Sequence, residues 1–186
     1  SDLNLDAAMA AGVPLVVGTT GLEERHHWLI DSASQHVAVL QTGNTSLGVT
    51  MLAWLVREAA GRLGEDWDVE IVETHHRHKV DAPSGTALLL GEAAAAGRGI
   101  SLAENSARGR DGITGARTTG SIGFASLRGG EIAGDHTVHF LSDNEHLSLR
   151  HHAENRLIFA KGAVRAAQWL IGKRPGRYGM PEVLGL

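Results

Sequence analysis

The hydrophobic positions of the chain follow two different periods, and the change of period divides the sequence. In the first part, residues 5–11 and 23–33 have a helical pattern, whereas 14–18 and 37–40 are short runs of apolar, mostly β-branched residues. A helix followed by a fully apolar strand is typical of a parallel sheet. The first part is therefore predicted to be a parallel α/β layer.

Two longer helices and a strand are predicted in the middle of the chain. Apolar residues at four-residue steps predict a helix over 46–63, and Ser84 is placed to cap another helix over 85–96. Between them, 67–74 is predicted to be a strand with only loose alternation, followed by a polar loop over 75–83.

In the last part of the chain the hydrophobic residues follow a two-residue period, which is typical of strands. Alternation is found in three short segments, 122–127, 137–141 and 147–149. The span 137–149 contains a turn sequence at Asp143-Asn144 and is predicted to form a hairpin.

Two further segments complete this part. Residues 98–117 are rich in glycine and charge, which predicts a mobile surface loop, and 156–170 is predicted to be a closing amphipathic helix. The whole pattern predicts parallel α/β structure first and mixed α+β structure second.

The amino-acid composition excludes several classes of function. The 186 residues are 42% hydrophobic and 20% charged, which is typical of a compact globular protein. The net charge of −4 gives no electrostatic reason to bind nucleic acid, and no apolar run approaches the roughly 20 residues of a membrane span. The absence of cysteine excludes disulfides and thiolate zinc sites and fits a reducing, cytoplasmic location.

The densest cluster of reactive side chains occupies residues 75–79, which are three His, one Arg and one Lys. Such neighbours repel one another unless an anion binds among them. Shortly after, Ser84-Gly85-Thr86 opens a helix whose N–H groups and dipole favour a carboxylate or phosphate. Histidine suits proton transfer near neutral pH, and Lys79 can supply a proton or a fixed charge. A small acidic molecule is the predicted ligand.

Two plainer interpretations of this cluster are weaker. A His-rich loop is often only solvated surface, but five such residues in succession, followed by an anion-binding helix start, argue against that. His76 and His78 could face one side of an extended strand and bind a metal. Arg77 and Lys79 would repel a divalent cation, and no acidic ligand lies at the usual spacing, so no metal is predicted.

Two turns rich in Gly and Thr follow the apolar strands of the first part, Gly18-Thr19-Thr20-Gly21 and Thr42-Gly43-Asn44-Thr45. Ligands of open α/β sheets bind outside the carboxyl ends of strands, so both turns are candidate ligand loops, although each alone fits a plain β–α connection. The sequence contains no P-loop, nucleophile elbow or full G-x-G-x-x-G fingerprint.

The run from Glu70 to Ala87, EIVETHHRHKVDAPSGTA, resembles the signature of the dihydrodipicolinate reductase family. Further segments resemble that family in the expected order and extend the likeness over essentially the whole chain. They are 17–21, 44–48, 120–125, 134–137 and 159–165.

The resemblance implies an enzyme that uses NADH or NADPH to reduce 4-hydroxy-tetrahydrodipicolinate to tetrahydrodipicolinate in lysine and diaminopimelate synthesis. It implies that His75 is the catalytic acid/base and Lys79 a second proton donor. The implied contacts to a dicarboxylate substrate are His76, Lys79, Ser84, Gly85 and Thr86. The implied contacts to the cofactor are Gly18, Thr19, Thr20, Thr42, Gly43, Asn44 and Thr45.

The resemblance also implies the architecture. Residues 1–45 would be the C-terminal remainder of a Rossmann-type dinucleotide-binding sheet, and 46–154 a mixed-sheet domain for substrate binding and homotetramer assembly. Residues 155–186 would return to the first domain.

Two departures from the family pattern qualify these expectations. Thr45 stands where many members carry Phe, and the family's first strand and Gly-rich phosphate loop are expected upstream of Ser1. A fragment without them would bind dinucleotide poorly. Alternative readings are a dehydrogenase-like relative acting on another acidic substrate, or a catalytically inert oligomerisation module.

Overall fold

The computed structural model describes residues 2–186. The helices are α1 (Asp2–Ala11), α2 (Glu24–Ser34), α3 (Leu47–Leu63), α4 (Gly85–Arg98), α5 (Leu102–Asn105), α6 (Leu157–Leu170) and α7 (Met180–Leu184). The strands are β1 (Leu15–Val17), β2 (Ala38–Gln41), β3 (Asp68–His75), β4 (Ser106–Ala107), β5 (Ile122–Arg128), β6 (Gly134–Leu141), β7 (His146–Ala153) and β8 (Gly176–Tyr178). The chain forms two compact units, one up to Thr50 together with Leu157–Leu186, the other Met51–Arg156.

The first unit is a parallel three-stranded sheet in the order β1-β2-β8. Val39 of β2 packs in a cluster with Leu5 of α1 and Ile30 of α2, whereas the adjacent Leu40 packs with Leu170 of α6. Because neighbouring strand residues point to opposite faces, helices cover both faces of this sheet. The predicted parallel α/β layer is confirmed.

The segment after α6 was not predicted to contain regular structure, yet it forms β8 and α7. Strand β8 is only three residues long and is set by its pairing with β2, from Ala38↔Gly176 to Leu40↔Tyr178. Such a short strand has no period of its own and depends on a tertiary partner.

The second unit is a mixed five-stranded sheet in the order β4-β5-β3-β6-β7. Strand β5 runs parallel to the central β3, β6 runs antiparallel to β3, and β7 runs antiparallel to β6, so the predicted hairpin is confirmed. Helices α3 and α4 cover one face and form its core. This core includes Val56, Ala60, Leu90 and Ala94 from the helices and Val69, Ile71, Phe124, Val138 and Phe140 from the strands.

Strand β3 corrects two sequence-based expectations. Its alternation is strict rather than loose, because Val69, Ile71, Glu73 and His75 are all buried while the residues between them are half-buried. The strand also includes His75, which the sequence had placed in the following loop. Polar residues at buried positions had hidden the two-residue period.

The expectation of a mobile loop over 98–117 is also partly wrong. This segment contains α5 and β4, and β4 pairs with β5. Near its end, Arg117 donates to the Glu70 and Asp68 carboxylates at 2.9 and 2.7 Å, and to the Ser121 carbonyl at 2.5 Å. The bonds to Glu70 and Asp68 fasten the segment to β3.

The other face of this second sheet, here called the open face, carries Val72, Ala125, Leu127 and Thr137. Its composition is mixed, because Asp135 on the same face pairs with Arg150. Leu127 is 51% exposed. Within residues 2–186, no helix is long and apolar enough to cross a membrane.

Candidate active site

The predicted reactive cluster lies where β3 ends on the helix-covered face of the second sheet. Strict alternation places Glu73 and His75 on that face, and both are buried, at 1% and 8% exposure. His136 of the neighbouring β6 is also buried, with its ring centroid 5.0 Å from that of His75 in an edge-on arrangement.

The carboxylate of Glu73 is the centre of the hydrogen bonding here. Arg128, at the end of β5, donates to Oε2 at 2.9 Å and to Oε1 at 2.7 Å. The Ser84 backbone N–H donates to Oε1 at 3.2 Å, and His75 Nδ1 lies 2.5 Å from Oε2. Arg128 and Ser84 belong to β5 and to the start of α4, so the Glu73 carboxylate links both of these segments to the strand that carries His75.

These bonds determine the charge of Glu73. Burial alone raises the pKa of a carboxyl group, but hydrogen bonds from Arg128, Ser126 and His75 outweigh it and lower the pKa of Glu73 to about 2. Glu73 is therefore ionised at neutral pH.

For His75, the effects of burial and of nearby positive charges on the pKa outweigh the hydrogen bond to Glu73. Burial lowers its pKa, the Glu73 carboxylate raises it, and the nearby charges of Lys79 and Arg128 lower it again; the net direction is down. The imidazole of the unliganded protein is therefore mainly neutral at pH 7. Added negative charge beside it would favour the imidazolium form.

Ser84 lies at the start of α4, as predicted, and its Oγ accepts from the Ala87 N–H at 3.1 Å. The same hydroxyl lies 3.0 Å from His136 Nε2, and Ser84 is 2% exposed. The Ser84 side chain therefore caps α4 from a buried position. Gly85 is exposed and Thr86 half-buried at the first two positions of the helix, where the dipole favours an anion.

The cationic loop after β3 leaves its charges near the surface. Arg77 and His78 are exposed, His76 and Lys79 are half-buried, and Lys79 Nζ pairs with the Asp81 carboxylate at 2.7 Å. No group of three or more residues suited to hold a metal ion was found between residues 2 and 186.

The predicted cofactor residues lie in the first unit, in the two loops after β1 and β2. The loops lie side by side: a Cβ added at Gly43 would be 3.6 Å from Thr20, and one at Gly18 would be 4.0 Å from Thr45. Gly18, Thr19 and Thr20 are exposed, and Gly18 and Thr19 help to line a cavity of about 180 Å³.

The second loop is held by its own side chains. Thr42 Oγ1 donates to the Asn44 carbonyl at 2.8 Å, and Asn44 Oδ1 accepts from the Ser46 N–H at 2.9 Å. Thr45 Oγ1 donates to the Phe159 carbonyl at 2.7 Å, so the residue that departs from the family pattern attaches this loop to α6.

Three residues of the site, Glu73, Arg128 and His136, were not identified from the sequence. Glu73 precedes His75 by two residues, and a strand period carried through His75 would have placed both on one face. Arg128 lies 55 residues from Glu73, and no local pattern predicts that pair.

Comparison with known proteins adds independent evidence. The family model described as "Dihydrodipicolinate reductase, C-terminus" matches residues 48–184, and the corresponding N-terminus model matches 1–45. A 4-hydroxy-tetrahydrodipicolinate reductase of Parvibaculum lavamentivorans is 59% identical over 97% of the chain and 67% of its own length. The enzyme of that name from Zymomonas mobilis is 56% identical over 98% of the chain and 72% of its own length.

The fold has a counterpart among solved structures. A dihydrodipicolinate reductase from Paenisporosarcina sp. TG-14 with bound dipicolinate superposes with a TM-score of 0.75, covering 97% of the chain and 68% of that structure at 22% identity. That identity supports the fold alone, whereas the family models and the closer relatives carry the assignment. The chain belongs to the dihydrodipicolinate reductase family, and with it to the oxidoreductases.

Proposed function

We propose that the chain carries the substrate site and the proton donor for reduction of 4-hydroxy-tetrahydrodipicolinate to tetrahydrodipicolinate, the activity for which its relatives are named. The observation that supports this assignment is the buried Glu73–His75 pair beside a cationic loop and the start of α4. One region thus combines a proton-transfer group with charges that suit a dicarboxylate.

The two substrate carboxylates would bind at the start of α4 and at the cationic loop after β3. Gly85 and Thr86 would offer the start of α4 to one carboxylate, and His76 and Lys79 would neutralise the other. Lys79 would leave its ion pair with the Asp81 carboxylate and pair with a substrate carboxylate instead. Ser84 would act indirectly, because its buried hydroxyl caps the helix that receives the anion.

His75 would deliver the proton. Two substrate carboxylates beside the ring would raise its pKa toward neutrality, so that protonation of His75 follows binding. The substrate would first lose its hydroxyl group as water, and hydride would add to the resulting double bond. The imidazolium would then donate its proton to the ring carbon that becomes anionic. Lys79 would assist as a second donor and as an anchor.

A nicotinamide cofactor, NADH or NADPH, would supply the hydride. Its fit to the first unit rests on the two adjacent loops after β1 and β2. Gly18 and Gly43 are exposed, and hydrogen-bonding groups around them come from Thr19, Thr20, Thr42, Asn44 and Thr45.

The residue assignment is tested by His75→Ala in the enzyme assembled with its cofactor. Turnover should fall by roughly 100-fold or more, in line with loss of a general acid, while binding of pyridine-2,6-dicarboxylate by calorimetry changes little. His36→Ala, in the exposed turn before β2, is the matched control and should retain turnover. Unchanged turnover in His75→Ala would refute the assignment.

The same calorimetry tests the substrate site. Lys79→Ala and Thr86→Ala should each weaken pyridine-2,6-dicarboxylate binding at least tenfold, whereas Lys161→Ala, on a helix of the first unit, should not. Failure of the unaltered protein to bind this dicarboxylate would favour an inert module. Binding without turnover on 4-hydroxy-tetrahydrodipicolinate would favour another acidic substrate.

We further propose a homotetramer assembled through the open face, and a cytoplasmic location. The first rests on the exposed apolar residues of that face, including Leu127. The second rests on the absence of cysteine and on the kind of biosynthetic reaction proposed.

A further inference from the structure

The buried carboxylate of Glu73 restricts the chemistry open to His75. An ionised carboxylate can only accept hydrogen bonds, and Glu73 receives them from Arg128, Ser84 and His75. The nitrogen of His75 that faces it, Nδ1, must therefore carry a proton. This leaves Nε2 as the nitrogen that can bind and release a proton during a reaction.

The surroundings of the His75 ring make Glu73 the counter-charge for an imidazolium. Lys79 from the loop after β3 and Arg128 from β5 both oppose a positive ring, whereas the neighbouring His136 of β6 is neutral at pH 7 because burial lowers its pKa to about 4. Glu73 is the acidic group that acts on the ring from this environment, and it lies 2.5 Å from Nδ1. The pair is almost fully buried, so water screens their attraction little.

The position of the carboxylate is itself fixed. Arg128 binds both of its oxygens and also donates to the Asp81 carbonyl at 2.7 Å, which links the end of β5 to the loop after β3. The Ser84 N–H binds Oε1, so the start of α4 is attached to the same group. His75 and the helix that would receive the substrate are thus held in one frame.

We propose that Glu73, held by Arg128, is a positioning residue that fixes His75 with its proton on Nδ1, reserves Nε2 for proton transfer to the substrate, and stabilises the imidazolium. The proposal rests on the proposed function for its role in turnover. Its structural part, the tautomer, stands independently of any reaction. In each cycle Nε2 would lose its proton to substrate carbon and regain one from solvent, while Nδ1 would keep its proton.

Glu73→Gln separates charge and orientation from packing, because it changes one oxygen for an amide nitrogen of nearly the same size. Arg128 donates to both oxygen positions, but the Ser84 N–H donates only to Oε1, so the amide oxygen should occupy that position. The amide nitrogen would then face His75 Nδ1 as a donor. We expect the tautomer of His75 to reverse, with its proton on Nε2.

Nitrogen-15 NMR of histidine-labelled protein measures this directly. The unaltered protein should show His75 with Nδ1 protonated above its pKa, and Glu73→Gln should show the reverse. Arg128→Lys keeps a cation next to Glu73 and should keep the original tautomer. Protonation of Nε2 in the unaltered protein would overturn the proposal even if Glu73→Gln failed to fold.

Glu70→Gln is a matched control, because Glu70 lies on the same strand, is also paired with arginines, and points to the open face. The same change there should leave the His75 tautomer as in the unaltered protein. A tautomer reversal in both variants would overturn the proposal, since it would show a general disturbance of β3.

The pH profile of the enzyme assembled with its cofactor tests the effect on turnover. Without the Glu73 charge, Lys79 and Arg128 act on the imidazolium unopposed, so the pH at which turnover falls should move lower. Turnover at neutral pH should fall roughly 100-fold or more, within the range of general-acid effects. A fall without movement of the profile would mean a purely structural role and overturn the proposal. If His75→Ala kept full turnover, the proposed function would fail while the tautomer result remained valid.

Discussion

A single buried histidine of the second unit, His136, makes the stability of the protein depend on pH. His136 is 3% exposed, and burial, followed by the charge of His75, lowers its pKa to about 4. The unfolded chain binds a proton at this residue near pH 6.5, whereas the folded chain does so only near pH 4. Between these values the unfolded state holds more protons, so stability is lost as the pH falls through that window.

We predict that His136→Gln reduces this loss. Between pH 7 and pH 5, His136 accounts for about 2 kcal/mol of the decrease in the free energy of unfolding. Urea unfolding at both pH values should show a decrease smaller by that amount in the variant.

His139→Gln is the control for this prediction, because His139 lies on the same strand but on the open face. It should retain the pH dependence of the unaltered protein. Equal pH dependence in His136→Gln and the unaltered protein would contradict the assignment.

At the scale of elements, α3 and α4 approach each other closely where two glycines meet. A Cβ added at Gly61 would lie 2.8 Å from the Gly97 carbonyl oxygen, and one at Gly97 would collide with the Arg57 carbonyl. The absence of side chains lets the two helices share this contact, which sets how they cover the sheet.

We predict that Gly97→Ala destabilises the protein by about 1–3 kcal/mol, because the added methyl group forces the helices apart. Intrinsic helix preference acts in the other direction, favouring Ala over Gly by about 1 kcal/mol, so the sign of the effect identifies packing as its cause. Urea unfolding measures it. Gly109→Ala, with no atom within 4 Å of the added Cβ, should have little effect. A stabilised Gly97→Ala variant would contradict the close approach.

The elements of this protein differ in how well the sequence predicts them. The helices, the parallel strands and the hairpin follow from their periods, because their buried positions are apolar. Strand β3 was predicted to end before His75 because Glu73 and His75, although polar, occupy buried positions. Their burial is possible only with Arg128, Ser84 and His136, which come from other segments and become neighbours only on folding. The likeness to a known family identified His75 and Ser84 but gave no role to Glu73, Arg128 or His136.

At the scale of the whole molecule, the open face is where copies of the chain would associate in the proposed tetramer. Leu127 lies at its edge with half of its surface exposed, opposite Thr74 of the central strand. An apolar side chain in such a position gains most from burial by a partner.

We predict that Leu127→Glu weakens this assembly, because a charged group buried at an interface without a partner is costly. Native mass measurement should show a tetramer for the unaltered protein and smaller species for the variant. Ile171→Glu makes the same change at an exposed apolar position of the first unit and should leave the mass unchanged. A tetramer that persists in Leu127→Glu would show that the subunits associate through another surface.

Strand β3 carries two glutamates with arginine partners, and they face opposite sides of one sheet. Glu73 binds Arg128 inside, and Glu70 binds Arg110 and Arg117 outside. A slip of one residue in strand pairing would exchange the two sides, placing Val72 and Thr74 in the interior and leaving His75 on the wrong face. Two arginine-bound carboxylates therefore act as a lock on register, so the turn before β3 should absorb an insertion or deletion, whereas one within β3 between Glu73 and His75 would move the proposed proton donor to the wrong face even in a chain that still formed a sheet.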